Sequence, residues 1–161
     1  MKRLFFTLLG TLVCLLASAQ TRTYTDNASG TFVFGLDSYF YGRTGTLEFE
    51  ADGKKFRATV EGGDVYVDGA ALEGGRGEVV VGVHDFSGNR IPDLMVARRD
   101  GSLVSASLYQ LSSGQWLPMG SAGPVEGSEI RVFRQVISVR FNATLHSWTW
   151  HTDHLDYKSN R

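Results

Sequence analysis

Apolar and polar residues alternate along this chain in short bursts, and most bursts end in Gly, Asp, Asn or Ser. In "TLEFEAD", Leu47 and Phe49 fall on one side of an extended chain and Glu48 and Glu50 on the other, the period of two that a half-buried strand shows. No window sustains a helical period. The pattern predicts strands at Thr31 to Leu36, Gly45 to Glu50, Lys55 to Glu61, Asp64 to Val67, Glu78 to Val83, Leu94 to Arg98, Leu103 to Gln110, Trp116 to Met119, Glu129 to Phe133, Val136 to Phe141 and Leu145 to Trp150. The tetrads "ADGK", "EGGD", "RDGS" and "SSGQ" between them are hairpin signals, because Gly and Asp accept the positive φ of tight turns. The run Val79 to Val83 is apolar on both faces and reads as a central strand. "GAALEGGRGE", Gly69 to Glu78, is the most glycine-rich connection and is expected to be mobile, and "GSAGPVEGS", Gly120 to Ser128, is expected to be a further connection. Together these features predict an all-β domain: a small antiparallel sandwich, an open barrel or a partial-propeller-like arrangement.

The N-terminus departs from this pattern. Lys2 and Arg3, the apolar run Leu4 to Leu16 and the small residues Ala17-Ser18-Ala19 before Gln20 read as a secretory signal helix over residues 1–19. Its apolar core of about 13 residues falls short of the roughly 20 that a membrane helix needs, and no later segment could span a bilayer. The expected product is a single domain over residues 20–161, secreted or periplasmic. Cys14, the only cysteine, lies inside the signal, so the mature domain would carry neither thiol nor disulfide, which suits a bacterial exported protein.

Without Lys2 and Arg3, 14 basic residues face 17 acidic ones, a net charge of −3. That is no footprint of a nucleic-acid binder, which shows a basic excess or stripe.

The segment that carries chemistry is "DFSGNRIPDL". Asp85, Ser87, Asn89 and Asp93 offer side-chain oxygens at positions one, three, five and nine of a nine-residue loop, and Ile91 can offer its backbone carbonyl at position seven. Alternating oxygen donors suit calcium, which takes six to eight oxygens at about 2.4 Å. Asp85, Phe86, Gly88, Pro92, Asp93 and Leu94 resemble the FG-GAP and VCBS repeats of integrin-type propellers and bacterial exported proteins, whose loop reads roughly D-F-N-G-D-G-x-P-D-L. The similarity extends over Val79 to Gly120 in a single copy, and it implies calcium as a structural cofactor. Three positions depart from the repeat. Ser87 replaces Asn, Asn89 replaces Asp and removes a ligand charge, and Arg90 replaces the Gly that accepts a left-handed turn. A degenerate loop, with Asp85 and Asp93 capping backbone N–H groups in place of metal, is the first alternative, and an unrelated polar turn the second.

Two further clusters merit placement. His151, Asp153 and His154 form a weaker candidate metal site; a continuous strand would put His151 and Asp153 on one face and His154 on the other. Tyr39, Phe40 and Tyr41 are expected in a loop, as an aromatic patch for a ligand or partner. No Gly-x-Ser-x-Gly elbow is present. These residues favour an exported, non-catalytic binding or interaction domain with a calcium-type loop, acting on a protein or glycan of the cell envelope. In loop and compartment it is similar to periplasmic inhibitors or immunity proteins of peptidoglycan hydrolases. The alternatives are a small metal- or carboxylate-dependent hydrolase and a carbohydrate-binding adhesion module.

Overall fold

The computed structural model describes residues 22–26, 30–127, 129–133 and 135–161, so the expected signal segment lies outside the described residues. Their regular structure is all strand. Three strands come first: β1 (Arg22–Asp26), β2 (Gly30–Gly35) and β3 (Ser38–Gly42). Three meanders of four strands follow. The first comprises β4 (Thr44–Ala51), β5 (Lys54–Glu61), β6 (Asp64–Val67) and β7 (Ala70–Glu73). The second comprises β8 (Glu78–His84), β9 (Asp93–Asp100), β10 (Leu103–Ser112) and β11 (Gln115–Glu126). The third comprises β12 (Glu129–Phe133), β13 (Val136–Phe141), β14 (Thr144–His151) and β15 (His154–Asn160).

Each meander is the body of one sheet. The first stands alone in the order β4-β5-β6-β7, the second gains β3 beside β8, and the third gains β2 and β1 beside β12. Every pairing is antiparallel except β12 with β2, which is parallel. Among the described residues no sheet closes on itself, so the arrangement is a stack of three open sheets and not a barrel.

Alternation explains the stacking. Leu47 and Phe49 of β4, with Ala58, Val60, Val65 and Val67, form an apolar layer against Val79, Val81, Val83, Leu94 and Val96 of the middle sheet. The opposite face of the middle sheet, with Val80, Met95, Ala97, Val104, Ala106 and Leu108, packs on Ile130, Val132, Ile137, Val139, Trp148 and Trp150 of the third sheet. The strands β8 and β9 are buried on both faces for this reason. The apolar run at Val79 to Val83 thus marks the middle layer; within its sheet, β8 lies next to the edge strand β3. The two outer faces are polar. Glu48, Glu50 and Arg57 are exposed on the first sheet, with Arg57 and Glu48 paired at 2.6 Å, and Arg131, Arg140 and Lys158 are exposed on the third. Among the described residues charged side chains dominate these outer faces, with Val136 exposed on the third.

Residues 30–51 stitch the layers together, giving β2 to the third sheet, β3 to the middle and β4 to the first. The crossing is tight. Leu36 is buried and the Asp37 N–H donates to the Val83 carbonyl at 3.0 Å.

All eleven predicted strands are present, and β1, β3, β7 and β15 are additional. The segment "GSAGPVEGS", expected as a connection, is largely strand: β11 continues through it to Glu126, with register shifts opposite Val104/Ala106 and Leu108/Tyr109. Three of the hairpin signals form turns with consecutive positive φ, Asp52-Gly53 at 50° and 69°, Gly62-Gly63 at 64° and 107°, and Ser113-Gly114 at 52° and 79°.

Candidate functional site: the Asp85 to Asp93 loop

The strand β8 ends at His84 and β9 begins at Asp93, with His84 and Asp93 paired across the ladder, so the candidate loop is a hairpin tip of the middle layer. Phe86 anchors it. Its side chain is wholly buried between the middle and third sheets and meets the His84 ring edge-on at 5.3 Å. An aromatic at the second loop position therefore fixes the turn from below, and the oxygen-bearing residues are left to arrange the rest.

Asp85 organises the turn. Its Oδ1 accepts the N–H groups of Gly88 at 2.7 Å and Asn89 at 3.0 Å, and its Oδ2 accepts that of Arg90 at 2.9 Å. Asn89 Oδ1 takes the Ile91 N–H at 2.7 Å, and Asp93 Oδ2 takes the Ser87 N–H at 2.8 Å. Ser87 Oγ lies 3.5 Å from Asp85 Oδ1. The backbone adopts φ of 76° at Gly88 and 70° at Arg90, so the arginine does occupy the left-handed conformation.

The electrostatics are uneven. Asp93 is only 1 % exposed, and its Oδ1 has no hydrogen-bond donor within the protein. Burial pushes its pKa above the usual carboxylate range and Asp85 adds to the rise, while the hydrogen bonds from Ser87 and Phe86 oppose it. A buried carboxylate oxygen with no donor costs on the order of 1–3 kcal/mol, and more when charged. A hard cation at this point would supply the missing partner. Asp93 Oδ1, Ser87 Oγ, Asn89 Oδ1 and Asp85 Oδ2 keep lone-pair capacity for one, so these residues fit calcium, whereas Asp85 Oδ1 is already filled by two N–H groups. The same bonds also serve the metal-free reading, in which the carboxylates cap the turn.

The other candidate residues are placed differently from the sequence expectation. Tyr39, Phe40 and Tyr41 form strand β3, not a loop. Tyr39 and Tyr41 pack on the core facing the third sheet, and Phe40 on the core facing the first. A Cβ at Gly45 would lie 2.2 Å from the Phe40 ring, so this glycine admits the ring between strands. Tyr41 donates to Glu78 at 2.5 Å. Aromatics on both sides of one strand are what a middle layer needs, and the flanking Asp37-Ser38 and Gly42-Arg43 make that strand resemble a loop in sequence.

At the other end, the chain turns at Thr152-Asp153. That turn pairs His151 directly with His154, and cross-strand partners share a face, so the two imidazoles meet with centroids 6.1 Å apart. His154 contacts Asp153 at 2.7 Å and Asp156 at 3.1 Å, and His151 contacts Asp156 at 3.4 Å. The hydrogen bond to Asp153 holds the His154 pKa above its ordinary value. All four side chains are exposed, and among the described residues no group of three or more His, Cys, Asp or Glu is arranged to hold a metal ion.

One cluster escaped the sequence reading. Arg98 and Arg99 follow "LMVA" in β9 and are buried. Arg98 Nε meets Glu73 Oε1 at 2.5 Å, its other nitrogens donate to the Gly63 and Glu73 carbonyls, and Tyr109 donates to Glu73 Oε2 at 2.8 Å. Arg99 donates to the Gly127 carbonyl at 2.9 Å. Asp64 accepts the Gly75 N–H at 2.9 Å. The glycine-rich connection is thereby pinned to β9 and β10, and four of its ten residues form the strand β7. Two arginines directly following an apolar stretch buried on both faces were the available signal, since buried guanidinium groups need partners.

Comparison of the chain with protein-family models, with curated proteins and with solved structures finds no match. Among the described residues no helix is long and apolar enough to cross a membrane.

Proposed function

We propose that this protein is an exported, non-catalytic binding domain whose Asp85 to Asp93 loop is a calcium-type staple of the FG-GAP/VCBS kind, with a protein or glycan of the cell envelope as its partner. The observation that carries the proposal is the buried Asp93 Oδ1, which lacks a donor within the protein and lies in a carboxylate flanked by Ser87 and influenced by the Asp85 charge. Calcium there would tie the start of β9 to the β8–β9 turn and act on stability, with no chemical step assigned to it. Within this reading, inhibition of a peptidoglycan hydrolase is the specific role to examine.

Two measurements test it. Calorimetric titration with calcium is expected to show one site per chain in the wild type and none in Asp93→Ala. In cell-wall lysis assays the protein is expected to slow a hydrolase from the same organism and to release no product alone. Product release by the purified domain would transfer the assignment to the hydrolase alternative.

A further inference from the structure

The third sheet ends at β15, which pairs only with β14 and exposes six of its seven residues, so its far edge is open. Its register with β14 is unbroken, from His151 against His154 to Leu145 against Asn160. The two-residue turn makes His151 and His154 the hydrogen-bonded pair that closes the hairpin, and such pairs alternate along an antiparallel ladder. The backbone N–H and C=O groups of His154, Asp156 and Lys158 therefore point to β14, and those of Leu155, Tyr157 and Ser159 point to the open edge.

We propose that β15 is a dimerisation strand, which pairs antiparallel with β15 of a second copy of this chain about a twofold axis at Tyr157. Two six-stranded sheets then join into one continuous sheet.

Three features select a second copy as the occupant. The first is charge. With Tyr157 on the axis, Asp156 lies opposite Lys158 of the other copy, and the symmetry repeats the pair. In the new ladder this is a non-hydrogen-bonded position, where side chains come closest. Asp156 already contacts His151 and His154, and its two oxygens keep lone pairs for an ammonium group. In the same register Leu155 meets Ser159 and Tyr157 meets its own copy, so the outward backbone groups of all three residues find partners. The second feature is Tyr157 itself. It is 53 % exposed, more than any other exposed large apolar side chain among the described residues. Its hydroxyl lies 2.8 Å from His146 Nδ1, and its ring rests on His146 and Trp148 with centroids at 6.0 Å and 5.2 Å. A side chain already held in place loses little freedom when a partner covers it. The third feature is the lack of devices that block edge pairing. The edge strand β11 carries Pro118, Pro124 and two register shifts, and β7 is four residues long with a shift of its own. Self-pairing of β4 about Phe49 would set Glu48 against Glu50. By contrast, β15 has no proline and no shift, and its charges are self-complementary.

Sedimentation equilibrium of the full chain over a dilution series from millimolar to micromolar tests the proposal. The wild type is expected to pass reversibly between monomer and dimer, as a small and largely polar interface does. Lys158→Glu sets an acid against Asp156, and Asp156→Lys sets a base against Lys158; each is expected to weaken dimerisation about tenfold. An equimolar mixture of these two variants, in which every charge again meets its opposite, is expected to restore association as a heterodimer. Ser159→Pro removes an N–H that points away from β14, so the melting temperature is expected to hold while the dimer is lost. Amide exchange followed by NMR supplies a further signature. The N–H groups of Leu155, Tyr157 and Ser159 are expected to gain protection as chain concentration rises, while those of Asp156 and Lys158 are protected throughout. A monomer at every concentration overturns the proposal and leaves the edge to a strand of a different protein. A dimer that Ser159→Pro and Lys158→Glu leave intact overturns it as well, as does a mixture of the charge variants that stays monomeric.

Discussion

Replacement of Glu73 tests whether the first sheet is held to the middle one by the buried Arg98 network. Glu73→Ala removes the 2.5 Å ion pair with Arg98 and the acceptor of the Tyr109 hydroxyl. Deleting one partner of a buried pair costs about 3–5 kcal/mol. The Arg98 guanidinium keeps its bonds to the Gly63 and Glu73 carbonyls, which are backbone atoms, and the Glu73 side chain is partly exposed, so the lower end applies. The expected loss is about 3 kcal/mol, which lowers Tm by roughly 6–12 °C for a domain of this size. Glu73→Gln, which retains an acceptor for Tyr109, is expected to cost about half as much. Urea unfolding followed by fluorescence gives the free energies. The variant also has a spectroscopic signature. Burial, first, and Glu73, second, raise the Tyr109 pKa to about 12, so in Glu73→Ala the ultraviolet titration of that phenol should move down from 12 without returning fully to its ordinary value. A Glu73→Ala loss below about 0.5 kcal/mol, the scale of an exposed pair, would refute the reasoning.

Other consequences follow from single residues. Phe86→Ala empties a fully buried site beneath the loop, and urea unfolding should report a loss of about 3–5 kcal/mol. Arg90→Gly relieves a side chain at φ 70°, and a gain of up to about 1 kcal/mol is expected once glycine's larger unfolded-state entropy is offset. Because the folded Tyr109 holds its proton more tightly than the unfolded one, its contribution to stability is complete below pH 10 and is lost as the pH rises towards 12. Equilibrium unfolding across that window should show the decline in the wild type and a smaller one in Tyr109→Phe.

Strand positions were legible wherever one face is buried and the other wet, as at Leu47/Glu48/Phe49/Glu50, because burial repeats every second residue. The strand β15 was not, because it is a mostly exposed edge strand whose "HLDYKSN" alternates only at Leu155 and Tyr157. The number of layers was also hidden. It depends on which apolar faces pair, and Val79 to Val83 show only that both faces are covered. The loop was the most legible part: Asp85, Gly88 and Arg90 adopt the turn that their spacing suggests, since local hydrogen bonds determine it. The Phe56–Trp116 and Glu73–Arg98 contacts join residues 60 and 25 positions apart in sequence, and no local pattern encodes such meetings. The face of His154 changed because a two-residue turn at Thr152-Asp153 reverses the chain where the sequence suggests continuation.

The proposal for the Asp85 to Asp93 loop is that calcium completes it. Its most direct test is the melting temperature of the wild type and of Asp85→Ala, each measured with calcium and with chelator. Calcium at about a hundred times its dissociation constant should stabilise the wild type by roughly 2.7 kcal/mol, a rise of several degrees, and leave Asp85→Ala unmoved. Identical melting of the wild type with calcium and with chelator would contradict the claim and leave Asp85 and Asp93 as caps of a metal-free turn.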